Sequence, residues 1–193
     1  AEGMLAAHHL LLGHGQTVRE LRARDASLNL GLTLNLTVAD AVDPTNPADL
    51  DAARRIDGQF NRWFLDPVFR GSYPADIIQD FRNVDAEAVL RWQDAVQPGD
   101  LDVISTPIDT LGVNYYHGEF VGGTPPLVNP PGGDAPTVRP IASPFPAHEN
   151  LYWHERGLPR TTMGWEVQPE ALTGLLERVS AEYSAEAGVA LYI

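Results

Sequence analysis

Between Thr110 and Tyr116 the chain reads Thr-Leu-Gly-Val-Asn-Tyr-Tyr, apolar first and then one amide and two phenols. Leu111 and Val113 suit a buried strand, and Gly112 permits a close backbone approach. Asn114, Tyr115 and Tyr116 then stand where such a strand ends, ahead of a long stretch rich in Gly and Pro. A strand that buries its start and presents hydrogen-bonding groups at its carboxyl end fits the geometry of an α/β active site. The plainer alternative is a strand edge whose tyrosines are packed for area.

Other residues with chemical potential read as structural. His8, His9 and His14 lie in one helical segment. Their spacing is not the i, i+4 pair of a helical zinc site, and no carboxylate close by completes a ligand set. They are expected to be packed and hydrogen-bonded, and no metal is expected. His148-Glu149 and His154-Glu155 lack the His-Glu-x-x-His pattern of a helical metalloprotease site. Glu119 reads as an exposed loop carboxylate, and Glu166 as a structural hydrogen-bond acceptor near Trp165. Asn35-Leu-Thr37 matches a glycosylation acceptor, but a strand end is a poor place for one.

The elements that must position these residues follow from periodicity. Glu2 to about Ala26 reads as a helix with Met4, His8, Leu11 or Leu12, Val18 and Leu21 on one face. Gly13 and Gly15 weaken it by about 1 kcal/mol each relative to alanine. Leu28 to Val38 alternates strictly and predicts a strand with Asn35 near its carboxyl end. A second helix is predicted from Asp49, along Ala53, Ile56, Phe60 and Trp63 or Phe64, to a stop at Asp66-Pro67. Short helices follow over Ala75–Phe81, Ala86–Trp92 and Asp100–Ser105. Val121 to Arg160 reads as an irregular excursion, with Thr124-Pro-Pro126 and Asn129-Pro-Pro-Gly-Gly133. Pro169 opens a last helix whose apolar face is Leu172, Leu175, Leu176, Val179 and Tyr183, with Gly188 as its cap. Val189 begins another buried strand. Strands alternating with helices imply a parallel sheet with crossover helices.

Composition narrows the partners. The chain has 193 residues, 26 acidic and 13 basic, for a net charge of −13, with no cysteine. That balance argues against phosphate backbones and anionic membranes. Without cysteine there is neither a disulfide frame nor a thiolate metal site. No apolar run approaches the roughly 20 residues that span a bilayer. The chain opens with no signal-peptide pattern, and a cytoplasmic location is expected.

Leu111-Gly-Val-Asn-Tyr-Tyr116 resembles the Leu-Gly-(Ile/Val/Leu)-Asn-Tyr-Tyr signature of family 1 glycoside hydrolases, the β-glucosidase group. Ala7-His-His-Leu-Leu-Leu-Gly-His-Gly15, Leu32-Thr-Leu-Asn-Leu36, Trp63-Phe-Leu-Asp-Pro-Val-Phe-Arg-Gly-Ser-Tyr-Pro74 and Thr162-Met-Gly-Trp-Glu-Val167 resemble further segments of that family, in the same order. Only about Gly122 to Arg160 is unlike a typical member. The resemblance implies an α/β fold, part of a (β/α)8 barrel from the helix after its fourth strand to the start of its seventh. The whole chain would then belong to one barrel domain, with 122–160 as a long loop excursion. It implies a retaining β-glycosidase acting on a β-glucoside or short oligosaccharide, without cofactor.

Retention needs two carboxyl groups about 5–5.5 Å apart. The family carries them in Thr-(Phe/Leu)-Asn-Glu-Pro and Thr-Glu-Asn-Gly motifs, and neither occurs in this sequence. The resemblance places the first upstream of Ala1 and the second directly after Ile193. The chain alone is therefore expected to be inactive and to need complementary segments of the same barrel. By resemblance, Tyr116 donates a hydrogen bond to the nucleophile, and Asn114 supports that carboxylate or the sugar. Asn35 either lines the leaving-group region or makes a strand-end bond to backbone. Trp165 either forms an aromatic platform for the aglycone or packs in the core. The alternative to an enzyme segment is a truncated barrel piece that binds sugar or serves as a structural subunit.

Overall fold

The computed structural model describes residues 2–128, 137–138 and 145–193. The Asn129–Gly133 turn motif lies outside the described residues. Helix α1, Glu2–Arg24, turns His8, Leu11, Gly15 and Val18 inward. Gly15 is there for contact rather than by default. A Cβ on it would stand 2.1 Å from the Val103 carbonyl oxygen, so only glycine lets a second helix cross so closely. His8 is fully buried and satisfied, with Nδ1 3.0 Å from the Tyr73 hydroxyl and Nε2 3.2 Å from Asp100. Burial, and then the negative Asp100, push the Tyr73 hydroxyl well above the usual phenol range, so it stays a neutral partner.

Strand β1, Gly31–Asn35, is followed at once by β2, Ala39–Ala41. Asn46 then caps α2, Pro47–Asp57, its side chain accepting the Ala48 N–H while Pro47 takes a first-turn position where no donor is missed. The helix does not stop at Asp66-Pro67. It passes through a π-turn, Gly58–Arg62, and restarts as α3, Trp63–Arg70, with Pro67 inside. The carbonyl that Pro67 cannot serve is that of Trp63, directly after the π-turn, where the hydrogen-bond register has already changed. Trp63, Leu65 and Val68, at 4%, 1% and 5% exposure, supply the burial that holds the helix through it. Gly71, at φ 62°, ends α3 in the left-handed region.

Helices α4, Ala75–Val84, α5, Ala86–Ala95, and α6, Asp100–Ile104, lead to β3, Thr110–Asn114. Beyond it, the stretch expected to be irregular contains strands. These are β4, Glu119–Gly122, the short pair β5, Leu127–Val128, and β6, Thr137–Val138, and then β7, Tyr152–Trp153. Helix α7, Pro169–Val179, continues through a second π-turn, Ser180–Ser184, into α8, Ala185–Ala187, closed by Gly188 at φ 68°. Strand β8 is Ala190–Tyr192.

Strands β1, β3 and β8 form one parallel sheet in the order β1-β3-β8. β2 and β4 pair in parallel just beyond the carboxyl ends of β1 and β3, and β7 joins β4 antiparallel. The main core gathers Leu11, Val18, Trp63, Ile77, Trp92, Leu111, Val113, Leu175 and Val179 between the sheet and the helices. A smaller core of Ala52, Ala53, Ile56, Val121 and Leu151 sits under the outer sheet. On the outside of the helical layer, Arg54, Arg62 and Arg178 pair with Asp57, Asp76 and Asp80, which ties α2, the π-turn, α4 and α7 together. No described helix is long and apolar enough to cross a membrane.

Candidate active site

The parallel sheet has two unlike faces. Leu111 and Val113 on β3 point into the helices at 0% and 2% exposure, and Leu32, Leu34 and Leu191 pack on the same core. Burying each such side chain stabilises the layer by roughly 1.5–3 kcal/mol. Register puts the alternate residues in rows across the other face: Gly31 with Thr110 and Ala190, Thr33 with Gly112 and Tyr192, and Asn35 with Asn114. This face is open. Thr33, Asn35, Asn114 and Tyr192 are exposed on it. The row nearest the carboxyl end is the pair of amides, and Asn114 Nδ2 donates to Asn35 Oδ1 at 3.0 Å. The strand-end bond of Asn35 is thus to a neighbouring side chain rather than to backbone.

Just past β3 the two phenols part. Tyr115 turns into the protein, where its hydroxyl is buried with no hydrogen-bond partner among the described residues. Burial raises its pKa, the Arg156 charge opposes that, and Asp40 and Glu119 add to it, so it too stays a neutral phenol. Tyr116 turns outward at 59% exposure. Its ring centre lies 5.7 Å from that of Trp165, with the planes tilted by 59°. Trp165 is half-buried, which favours neither a core position nor full solvation.

A short hairpin delivers Trp165. The Arg160↔Glu166 bridge forms its base, and Thr161 N donates to the Trp165 carbonyl at 2.9 Å. Glu166 is structural. Its carboxylate accepts the backbone N–H groups of Arg156, Gly157 and Leu158 at 3.1, 2.8 and 3.2 Å. Burial would raise its pKa, but those three donors and the Arg160 charge outweigh it and hold the group below the usual carboxylate range.

Glu119 is not the exposed loop carboxylate that the sequence suggests. It lies on β4 with its side chain 15% exposed, and its Oε2 accepts the Trp153 indole N–H at 2.7 Å. Its Oε1 is 3.6 Å from His117 Nδ1. The His117 ring in turn lies 5.3 Å from the Trp165 ring, tilted by 35°. Sequence reasoning singled out neither His117 nor Trp153. The signal was present: residues 117 and 119 are two apart on extended chain, hence on one side of it, directly after Tyr116.

The four residues named from the sequence therefore arrive as two pairs, Asn35 with Asn114 in the last row of the parallel sheet and Tyr116 with Trp165 beyond it. A cleft of about 470 Å³ opens beside Asn35, lined by Thr33, Leu34, Gln59, Phe60, Phe64 and Phe145; Tyr116 and Trp165 are not in its wall. Among the described residues no cluster of His, Asp and Glu is arranged to hold a metal ion. His148 and His154 instead contact the backbone carbonyls of Phe145 and Thr124 at 3.1 and 2.9 Å. The chemistry this arrangement offers is hydrogen bonding to a polar ligand and stacking against its faces.

Residues 2–193 match the family model described as "Glycosyl hydrolase family 1". The bifunctional β-D-glucosidase/β-D-fucosidase of Bifidobacterium breve is 35% identical over 92% of this chain and 35% of its own length. The thermostable β-glucosidase B of Thermobispora bispora is 35% identical over 97% of this chain and 33% of its own length. The crystal structure of the psychrophilic β-glucosidase BglU from Micrococcus antarcticus superposes with a TM-score of 0.80 at 44% identity, covering 97% of this chain and 38% of that one. The chain thus spans about a third of the length of the curated relatives it matches.

Proposed function

The chain belongs to glycosyl hydrolase family 1, and from that membership we propose that it provides the middle of a retaining β-glucosidase site that cleaves terminal β-linked glucose. β1, β3 and β8 are strands of a (β/α)8 barrel, and the open face is the one that turns into it. In the proposed reaction one carboxylate attacks the anomeric carbon while a carboxylic acid protonates the departing glycosidic oxygen; water then releases the sugar. Both carboxyl groups would come from other segments of the barrel. β8 runs parallel to β3 with Tyr192 opposite Gly112, so its carboxyl end points toward the Tyr116 end of β3.

Tyr116 then donates its phenolic hydrogen bond to the nucleophile and keeps it ionised and oriented. Asn114 supports that carboxylate or the sugar, and Asn35, held by Asn114, lines the leaving-group side. Trp165 offers its indole face to the C–H groups of the aglycone. The substrate is a β-glucoside or short oligosaccharide, and the proposed chemistry uses no cofactor.

The observation that carries this reading is the outward turn of Tyr116 against Trp165, beside the amide pair at the carboxyl end of the same sheet. The test is Tyr116→Phe in the complete barrel protein. The expected result is a fall in kcat of about a hundredfold, in the range of single positioned proton or hydrogen-bond donors. Loss of a bond to the charged form raises a carboxylate's pKa, so the acidic limb of the kcat/KM profile should move to higher pH. An unchanged kcat and an unmoved acidic limb would remove Tyr116 from the site.

A further inference from the structure

We propose that His117 is a positioning residue that holds the Trp165 indole in place on the aglycone side of the cleft, with Glu119 as its anchor. The inference rests on the reading of Trp165 as the aglycone platform.

Trp165 rides on a short hairpin whose base is fixed where Glu166 gathers three backbone N–H groups and whose turn is closed by Gly164 N–H donating to the Thr161 carbonyl at 2.9 Å. The tip is exposed: Met163 is 70% exposed, and Gly164 has φ 83°. An indole beside such an exposed turn keeps one orientation only against a wall. Tyr116 contacts it from one position, but Tyr116 is itself 59% exposed and is committed elsewhere in the proposed chemistry.

His117 is the better-fixed neighbour. Its backbone carbonyl accepts the hydroxyl of Thr37, a residue only 2% exposed, at 2.9 Å. Its ring centre lies 5.3 Å from that of Trp165, and its Nδ1 lies 3.6 Å from the Glu119 carboxylate. Glu119 in turn is fixed at three points: its N–H donates to the Val38 carbonyl at 2.6 Å, its carbonyl accepts from Arg156 at 2.9 Å, and its carboxylate takes the Trp153 N–H at 2.7 Å. Contacts therefore run from the half-buried Trp165 through His117 and Glu119 to Trp153. Holding the indole before substrate arrives removes an ordering cost from aglycone binding, so the effect falls on KM rather than on the chemical step.

The test compares three substrates in the complete barrel protein: 4-nitrophenyl β-glucoside and cellobiose, which have an aglycone to stack, and β-glucosyl fluoride, which has none. His117→Ala should raise KM for the first two roughly three- to tenfold and leave the fluoride unchanged. Trp165→Ala should raise the same two further, and the double variant should be no worse than Trp165→Ala alone, because the residues act through one indole. Glu119→Gln keeps an acceptor for Trp153 but drops the charge facing His117, and should give a smaller rise of the same pattern. Should His117→Ala fail to fold, His117→Gln takes its place with the same expected split. Equal losses on the fluoride, or additive losses in the double variant, would overturn the proposal. Trp165→Ala without effect on any substrate would sink the platform reading beneath it. An active Trp165 effect with a silent His117 would sink this inference alone.

Discussion

Leu111 and Val113 lie at 0% and 2% exposure against the helices, while Asn114, the next residue along the same strand, stands in the open. The helix-facing side of the sheet is apolar, with Leu32, Leu34 and Leu191 packed on the same core. The other side is a set of rows, Gly31-Thr110-Ala190, Thr33-Gly112-Tyr192 and Asn35-Asn114, on which Thr33, Asn35, Asn114 and Tyr192 are exposed. In a (β/α)8 barrel that second side is filled by side chains from strands across the barrel. One face of this segment is thus set by its own packing. The other is set by what it has to meet, and small or polar residues on it leave room for that. The difference teaches which substitutions should damage the fold and which the chemistry.

The largest effect concerns the segment on its own. The outer edge of β1 has no strand paired with it in the described sheet, and the cleft beside it is walled by Phe60, Phe64 and Phe145. Unpaired strand edges and uncovered apolar surface favour association over a unique fold. The isolated chain is therefore expected to lack a sharp thermal transition in circular dichroism, to bind a hydrophobic dye, and to hydrolyse no β-glucoside. A cooperative melt of the purified monomer would break the comparison at its root, since the open face would then need no cover.

Next in size is a matched pair from the two faces of β3, measured in the complete barrel. Leu111→Ala removes a fully buried side chain from the helix-facing layer and should cost about 2–5 kcal/mol in urea unfolding. Asn114→Ala removes one exposed amide bond to Asn35 and should cost about 1 kcal/mol or less. Its kcat/KM, however, should fall at least tenfold, whereas Leu111→Ala should keep near-wild-type kinetics in whatever fraction stays folded. Similar stability losses for both variants would mean that the faces are not distinct in this way.

Much of this was legible in the residues. The 111–113 alternation gives β3, and Pro169 with Gly188 brackets the last helical run, because these signals are local. Pro67 misled, because its cost is absorbed by a π-turn five residues wide and by the burial of Trp63 and Leu65, neither of which is written locally. The stretch after Val121 misled for the opposite reason. Gly and Pro there suggest no order, yet β4 and β7 are held by partners far along the chain, β2 and the clamp of Arg55 on the Ala147 and Glu149 carbonyls at 2.9 and 2.8 Å. Glu119 was misplaced with them, since its burial depends on Trp153. Resemblance named Asn35, Asn114, Tyr116 and Trp165, and the fold places them in two pairs; their roles await the kinetic tests.

The smallest effect separates the two faces by charge. The helical layer is tied from outside by Asp76, which accepts from Arg62 at 2.8 Å and from Arg54 at 2.6 Å. The hydrogen bonds from Arg62, opposed by burial and then reinforced by Arg54, hold the Asp76 carboxyl well below its ordinary value of 3.8. A depressed carboxylate binds fewer protons in the folded protein than in the unfolded one. Its contribution is therefore complete above about pH 4 and drains away as pH falls further, toward the folded value. The network is partly open to water, and Arg54 keeps Asp51 and Asp80 while Arg62 keeps Asp57, so Asp76→Asn should cost only about 0.2–1 kcal/mol at pH 7. It should also flatten the loss of stability between about pH 4 and pH 2, whereas Asn114→Ala, an uncharged change on the open face, should leave that slope as it was. If Asp76→Asn keeps the full acid slope, the outer ion pairs do not hold the helical layer and its stability rests on the apolar face of the sheet alone.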